Sequence, residues 1–287
     1  MSTVLSGTTR LACVLGSPVR HSLSPAIHNA AFLARGVDAV YLAFEIDSDD
    51  MAPTVRALRN IGFLGASITM PHKEVAHTLC DEVGPVALRL GSLNTLVARD
   101  DGSLFGESTD GDGCVGALQA AGARLPGSNA VVVGAGATAR ACILALAESG
   151  VSRVVVVNRT RARSESAALL APSVCSVVDA ADTTAAMSAV GAADIVVHAT
   201  PAGMGSDSSS AFDLRALRSG QFVLDAVYQP LETPVLAAAR ASGAVVVDGL
   251  SMLIHQASRQ QELWTRQSPD IAVMRAAAEH ELERRRG

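Results

Sequence analysis

The chain has 287 residues, 49% of them hydrophobic but only 3% aromatic, with 23 basic and 28 acidic side chains and a net charge of −5. That length suffices for two modest domains or one large one, with a core built from Ala, Val and Leu, a composition suited to buried parallel strands under Ala-rich helices. No basic stripe interleaved with aromatics occurs, which argues against a nucleic-acid partner, and Arg284, Arg285 and Arg286 read as a solvated helix end.

In chain order, Leu11–Leu15 is a first strand. It is too short for a signal-peptide core and is followed at once by Gly16 and Pro18. Ser24-Pro25 opens a helix with Ser as N-cap and Pro at the first helical position, and Gly36 ends it. Ala39–Ile46 reads as a strand, Pro53–Ile61 as a helix, Gly65–Thr69 as a strand and Glu74–Gly84 as a helix. Leu93–Arg99 and Ser103–Gly106 flank a hairpin turn at Asp100-Asp101-Gly102. After Asp110 a helix runs through Ala121.

A more regular series follows. Strands are expected at Ala130–Val133, Val154–Val157, Val174–Val178, Ile195–His198, Phe222–Asp225 and Ala244–Val247, with helices at Thr138–Ser149 and about Arg161–Leu170. Met252–Glu283 reads as helix broken near Pro269, and Ser208–Ser210 as a mobile loop. Ala130–Ala147 is apolar, but Gly134, Gly136 and Arg140 interrupt it, so no membrane span is expected. The alternation is that of an α/β protein.

The five cysteines form no CxxC pair and the seven histidines no HExxH spacing. Neither a disulfide framework nor a metal site is expected, and a reducing, cytoplasmic location is. Of the 23 basic residues 22 are arginine, and Lys73 is the one lysine. Arginine stays protonated, whereas lysine can give up its proton, so Lys73 is a candidate for work that arginine cannot do.

Gly134-Ala135-Gly136-Ala137-Thr138-Ala139 fits G-x-G-x-x-G/A between a strand and a helix, the context of a dinucleotide turn. The first glycine permits the turn, and the second lets a pyrophosphate approach the helix N-terminus. At the end of the next strand, where an NAD enzyme carries an acid, stands Asn158-Arg159-Thr160-Arg161-Ala162-Arg163. Guanidinium groups without a carboxylate suit a 2′-phosphate, so NADP is the expected cofactor.

Four polar clusters fall at strand ends or helix starts: Ser22 with Ser24, Thr69 to Lys73, Asn94-Thr95, and Thr109-Asp110-Gly111. Open α/β sheets bind ligands where strands end. Two serine hydroxyls at a helix start suit a carboxylate. Lys73 and Asp110 offer an ammonium and a carboxylate for proton transfer, and Asn94 and Thr69 neutral groups for a polyol. Singly, each has an ordinary structural use, as a helix cap or a polar strand end.

Their order along the chain weighs more than any one of them. SLSPAIHN, ITMPHK, GSLNT, STDGDG, GAGATARA, NRTRAR, ATPAGM, DAVYQP and DGLSMLIHQ follow one another, and the chain resembles the shikimate dehydrogenase family from near residue 11 to near residue 265. The resemblance implies two α/β domains. Residues 1–108 with 250–287 would form a substrate-binding and catalytic domain, and 109–249 an inserted Rossmann dinucleotide-binding domain. It implies reversible, NADPH-dependent reduction of 3-dehydroshikimate to shikimate, in a monomer or homodimer. Lys73 and Asp110 match the catalytic pair. Ser22 and Ser24 match the carboxylate-binding serines, and Thr69, Asn94, Tyr228 and Gln256 other substrate contacts. Gly134, Ala135, Gly136, Ala137 and Thr138, with Asn158, Arg159, Thr160 and Arg163, match the NADP contacts, and Ala226 and Gly249 positions near the nicotinamide.

Four positions depart from the family pattern: Ser67 and Ser108 where Asn is usual, Ser92 where Ala is common, and Gln261 where an aromatic is common. They leave quinate or an amino analogue open as substrate. A catalytically silent NADP-binding sensor would need neither Lys73 nor Asp110. A short-chain dehydrogenase would need a Tyr-x-x-x-Lys that the chain lacks.

Overall fold

β-Branched runs punctuated by glycine turns give twelve strands and eleven α-helices among residues 5–286, the part that the computed structural model describes. Two compact units form: Met1–Thr109 with Gln256–Gly287, and Asp110–His255. Residues 1–4, Gly287 and the Arg286 side chain lie outside the described part.

The first unit contains β1 (Arg10–Gly16), α1 (Ser24–Arg35), β2 (Ala39–Glu45), α2 (Met51–Asn60), β3 (Gly65–Ile68), α3 (Lys73–His77), β4 (Glu82–Val83), α4 (Pro85–Leu90), β5 (Thr95–Ala98) and β6 (Leu104–Glu107). Its mixed sheet has the order β2-β1-β3-β5-β6-β4. β1 pairs in parallel with β2 and β3, while β5 runs antiparallel to both β3 and β6. The last residues of β1, β3 and β6 and the first of β5 therefore share one edge of the sheet. Alternate residues of β1 feed two cores: Cys13 and Leu15 join Ala66 and Ile68 on one face, and Ala12 and Val14 join Tyr41, Phe32 and Trp264 on the other.

The second unit contains α5 (Asp110–Ala120), β7 (Asn129–Val133), α6 (Ala137–Glu148), β8 (Arg153–Asn158), α7 (Arg161–Ala168), β9 (Cys175–Asp179), α8 (Thr183–Ala192), β10 (Ile195–His198), β11 (Phe222–Asp225), α9 (Pro234–Ala241) and β12 (Val245–Val247). All six strands are parallel, in the order β12-β11-β10-β7-β8-β9. The valine runs are explained by burial on both faces. Val132, Val154 and Val156 face a core with Ile143 and Leu146, while Val131, Val133, Val155 and Val157 face another with Val190 and Val235. The strand order reverses between β7 and β10, the place where doubly wound sheets take a ligand. α10 (Gly249–Thr265) and α11 (Ile271–Arg286) close the chain. No helix among the described residues is long and apolar enough to cross a membrane.

Several local expectations fail for identifiable reasons. Residues 74–84 are not one helix: α3 stops at His77, and Asp81 turns the chain by accepting the Leu104 amide at 2.7 Å, which sets β4 beside β6. α4, α8 and α9 go unforeseen. Ser24 is not the N-cap of α1. Leu23 holds that position without a side-chain cap, and Ser24 is the first helical residue. Ser208–Ser210 lie in a loop tied by Ser209 to Asp207 and by Ser210 to the Phe212 carbonyl. The terminal arginines are more than a solvated end. Arg284 and Arg285 both bond Glu281, whose carboxyl falls to about 2, and Arg285 also donates to the His21 and Ser22 carbonyls at 2.6 and 3.1 Å.

α1 buries His28, stacked on Tyr41 at 4.3 Å and bonded by Gln261 at 3.0 Å. Burial lowers its pKa to about 3 against the Gln260 side chain, which raises it. A base with a folded pKa below its unfolded one binds fewer protons when folded. Its stabilisation is complete above about pH 6.5 and is lost as the pH falls toward 3, a contribution on the order of a few kcal/mol. The thermal midpoint is therefore expected to fall steadily below pH 6.5. His28→Asn should be less stable at neutral pH but show a shallower acid slope; an unchanged slope would assign the acid sensitivity elsewhere.

Candidate functional site

At the shared edge of the first sheet, β1 ends at Gly16 and β3 at Ile68. A Cβ at Gly16 would crowd the Thr69 methyl and lie 3.2 Å from the Met70 carbonyl, so the two strand ends pack closely there. The Leu15 carbonyl receives the Thr69 amide at 3.0 Å, and the Met70 carbonyl receives the Ser17 amide at 3.0 Å. Lys73 opens α3, half-buried, and its carbonyl accepts the Leu93 amide at 3.0 Å, which holds it beside the start of β5. Beyond β1, Ser22 Oγ accepts the Ser24 amide at 3.2 Å, and the Ser24 hydroxyl lies beside the Tyr41 phenol. Burial pushes that phenol well above its usual range, Ser67 and Ser24 opposing this less strongly.

Asn94 stands at the centre of this edge, 2% exposed. Its Oδ1 accepts from the Thr95 hydroxyl and from the Thr109 amide, both at 2.8 Å. Its Nδ2 donates to Gln256 Oε1 at 2.8 Å and to Thr109 Oγ1 at 3.1 Å. One turn along α10 from Gln256, Gln260 donates from Nε2 to Thr95 Oγ1 at 3.0 Å and to the Asn94 carbonyl at 3.2 Å. Ser67 donates to Gln260 Oε1 at 2.9 Å and accepts from Tyr41 at 2.6 Å. Thr69, Lys73, Asn94 and Gln256 thus meet at one edge. Thr109, from one of the four polar clusters, belongs to the same array, as do Tyr41 and Gln260, which escape sequence reasoning. The recoverable signal is the spacing of Gln256 and Gln260, which puts both on one helix face.

The second unit carries the remaining candidates. Asp110 is buried as the first residue of α5, and Thr138 Oγ1 lies 3.4 Å from its Oδ2. Gly134 turns with φ +120°, and a Cβ there would lie 2.6 Å from the Ala199 carbonyl, a double requirement for glycine. Around Gly136 the space is open, and as N-cap of α6 it supplies no side chain, so the first amides of that helix have no side-chain cap. Ala135 and Ala139 pack into the core below. At the end of β8, Asn158 Nδ2 donates to the Thr160 carbonyl at 3.1 Å, and Arg161 pairs with Glu165 at 2.8 Å. Arg159 and Arg163 are exposed, with no ion pair among the described residues. Across the sheet, Asp179 stands opposite Asn158 and accepts the Ala181 amide at 2.9 Å. An uncapped helix start, an open glycine and two unpaired guanidinium groups fit a dinucleotide carrying an extra phosphate.

A buried cluster that sequence reasoning also missed holds the far side of the Gly134 turn. His198 Nδ1 is 2.9 Å from Asp225 Oδ1 and its Nε2 is 2.7 Å from Thr200 Oγ1, while Thr233 donates to Asp225 Oδ2 at 2.6 Å. After β11, a Cβ at Gly249 would lie 2.7 Å from the Ala226 carbonyl and 2.5 Å from that of Val227, so these two candidates are in backbone contact. Tyr228 follows, half-buried.

Residues 14–96 match the shikimate dehydrogenase substrate binding domain, 117–206 the shikimate / quinate 5-dehydrogenase family and 249–279 the shikimate 5'-dehydrogenase C-terminal domain. The shikimate dehydrogenase (NADP(+)) of Symbiobacterium thermophilum is 42% identical, over 96% of this chain and 96% of that protein. Shikimate 5-dehydrogenase from Thermus thermophilus, solved in complex with NADP(H) and shikimate, is 35% identical with a TM-score of 0.85, covering 94% of this chain and 99% of that one. Quinate dehydrogenase from Corynebacterium glutamicum, in complex with NAD, is 33% identical with a TM-score of 0.86, covering 95% and 99%. With relatives this similar over nearly its whole length, the chain belongs to the shikimate dehydrogenase family.

Proposed function

We propose that the chain is an NADP-dependent dehydrogenase that interconverts 3-dehydroshikimate and shikimate. The carrying observation is the locked Asn94 amide beside Lys73, at the edge where the family's substrate-binding segments fall, in a chain 42% identical to an NADP-dependent shikimate dehydrogenase. The first unit binds the substrate and the second the dinucleotide. When bound, the dinucleotide would supply the hydride-transfer chemistry, as NADPH toward the ketone and as NADP+ toward the alcohol.

The chain's own residues bind the partners and manage the proton. The uncapped start of α6, from Gly134 to Thr138, binds the diphosphate, and Asn158, Arg159, Thr160 and Arg163 bind the 2′-phosphate. Ala226 and Gly249 present backbone to the nicotinamide. Ser22 and Ser24 hold the substrate carboxylate, and Thr69, Asn94, Tyr228 and Gln256 hold its hydroxyls. When ketone becomes alcohol, the carbonyl oxygen takes up one proton for each hydride received by its carbon. Lys73 gives that proton and recovers it in the reverse direction, and Asp110 supplies the carboxylate of the catalytic pair. A second reading, quinate as the preferred substrate, draws on the likeness to quinate dehydrogenase and on Ser67 and Ser108.

With purified protein, shikimate and NADP+ are expected to give the highest kcat/KM among shikimate, quinate and aminoshikimate, each paired with NADP+ and NAD+. A quinate rate above the shikimate rate would transfer the assignment to the second reading. Lys73→Met should lower kcat by about 10²–10⁴-fold with little change in KM, the usual worth of a positioned acid or base. Lys73→Arg should be nearly as damaging; near-full activity in it would reduce Lys73 to an electrostatic anchor. Arg159→Asp sets a negative charge against a phosphate, so it should raise KM for NADP+ much more than for NAD+. Equal losses would remove Arg159 from phosphate recognition.

A further inference from the structure

The polar array in the first unit has a direction. Tyr41, Ser67, Gln260, Thr95, Asn94 and Thr109 are all between 0 and 7% exposed, so water cannot stand in for a missing partner. Asparagine and glutamine amides are nearly symmetric in shape, and their neighbours decide which end faces where. Asn94 Oδ1 receives the single proton of Thr95. Thr95 is committed to that donation because Gln260 Nε2 fills its acceptor side. Gln260 faces that way because its Oε1 takes the Ser67 proton, and Ser67 gives its proton there because Tyr41 donates to it. Each hydroxyl between Tyr41 and Asn94 thus accepts from one side and donates to the other. At the far end Asn94 Nδ2 donates to Gln256 Oε1, which uses the acceptor of that amide and leaves its Nε2 hydrogens for another partner.

We propose that Tyr41, Ser67 and Gln260 are positioning residues, a one-way hydrogen-bond relay that fixes the amide orientation of Asn94 and Gln256 for the cyclic hydroxy acid. The inference rests on the reading of Asn94 and Gln256 as substrate contacts. The relay begins next to the proposed carboxylate anchor, since Ser24 lies beside the Tyr41 hydroxyl. It ends at the two amides proposed for the ring hydroxyls, so both ends of the substrate would be read by one connected set of buried groups. Burial keeps the Tyr41 phenol protonated, which keeps the relay in one sense.

The test uses the full-length chain and the variants Tyr41→Phe, Ser67→Ala, Gln260→Met and the double Tyr41→Phe/Gln260→Met. KM is measured for shikimate and for NADP+, and side-chain amide exchange by ¹⁵N NMR, with the Asn94 signals identified by their loss in Asn94→Asp. Breaking one buried link should raise KM for shikimate by about tenfold and leave KM for NADP+ unchanged. The double variant should bind shikimate no worse than the weaker single, because a relay broken once is already broken. Exchange of the Asn94 amide protons should quicken in every variant. Ser67→Ala, the smallest change, serves if Tyr41→Phe fails to fold. Parental exchange at Asn94, or additive KM effects in the double variant, would overturn the relay. Faster exchange with an unchanged shikimate KM would uphold the relay and instead count against Asn94 as a substrate contact.

Discussion

β5 runs against β3, with Ser67 opposite Thr95, and the arrangement of the first unit follows from that register. In a wholly parallel sheet the start of one strand lies at the opposite edge from the end of its neighbour. The reversal brings Asn94, just before β5, to the edge where β1 and β3 end. It also brings Thr109, just after β6, to the same place, because β6 reverses again. Three segments far apart in sequence then share one row of hydrogen bonds. A one-residue slip of β5 would move Leu96 from the core to the opposite face and displace Asn94 from its partners. The buried amide and the buried leucine therefore enforce the same register.

The second unit solves a different problem with a uniform sheet. Six parallel strands leave the glycine turn after β7 next to the strand end of β10, and the contact is close enough that Gly134 admits no side chain. His198, Asp225 and Thr233 tie the ends of β10 and β11 and the start of α9 together, each using its polar atoms on another member of the cluster or on the loops between them. A dinucleotide turn needs backbone amides held still and pointed outward, and buried hydrogen bonds behind the turn provide the stillness.

The strands are legible in the sequence because their cores demand a simple pattern. Residues 131–133, 195–197 and 222–224 are apolar on both faces, and a buried parallel strand is what fits such a run. Helix α9 goes unforeseen although Thr233-Pro234 marks its start, where Thr233 accepts the Leu236 amide as N-cap, because its 8 residues make barely two turns in which a period can show. The break after His77 is not legible, since it depends on Asp81 meeting an amide 23 residues away. The site divides in the same way. Ser22, Lys73, Asn94 and the glycine turn stand out as polar or glycine residues at element ends. Tyr41 and Gln260 do not, because each lies on the buried face of its element and reads as core until the fold supplies its partner.

The distribution of basic residues gains a physical meaning from the contacts. Arg284 meets Glu281 through two nitrogens, Arg285 reaches Glu281 and two backbone carbonyls at once, and Arg218 donates to the carbonyls of Gly191 and Ala193. Each arrangement needs several N–H groups fixed in one plane and a charge that never leaves, which a guanidinium provides and an ammonium does not. Exposed pairs of this kind add about 0–1 kcal/mol each, so their value lies in tying segments more than in stability. At residue 73 the requirement is reversed. Lys73 opens α3, its carbonyl bonded to the Leu93 amide just before Asn94, and the proposed chemistry requires one proton to depart and return. A guanidinium binds its proton too tightly for that exchange at neutral pH. A chain with arginine at 22 of its 23 basic positions would hold arginine here as well if charge alone were needed, so the lysine at this position argues for the proton itself as the thing being handled.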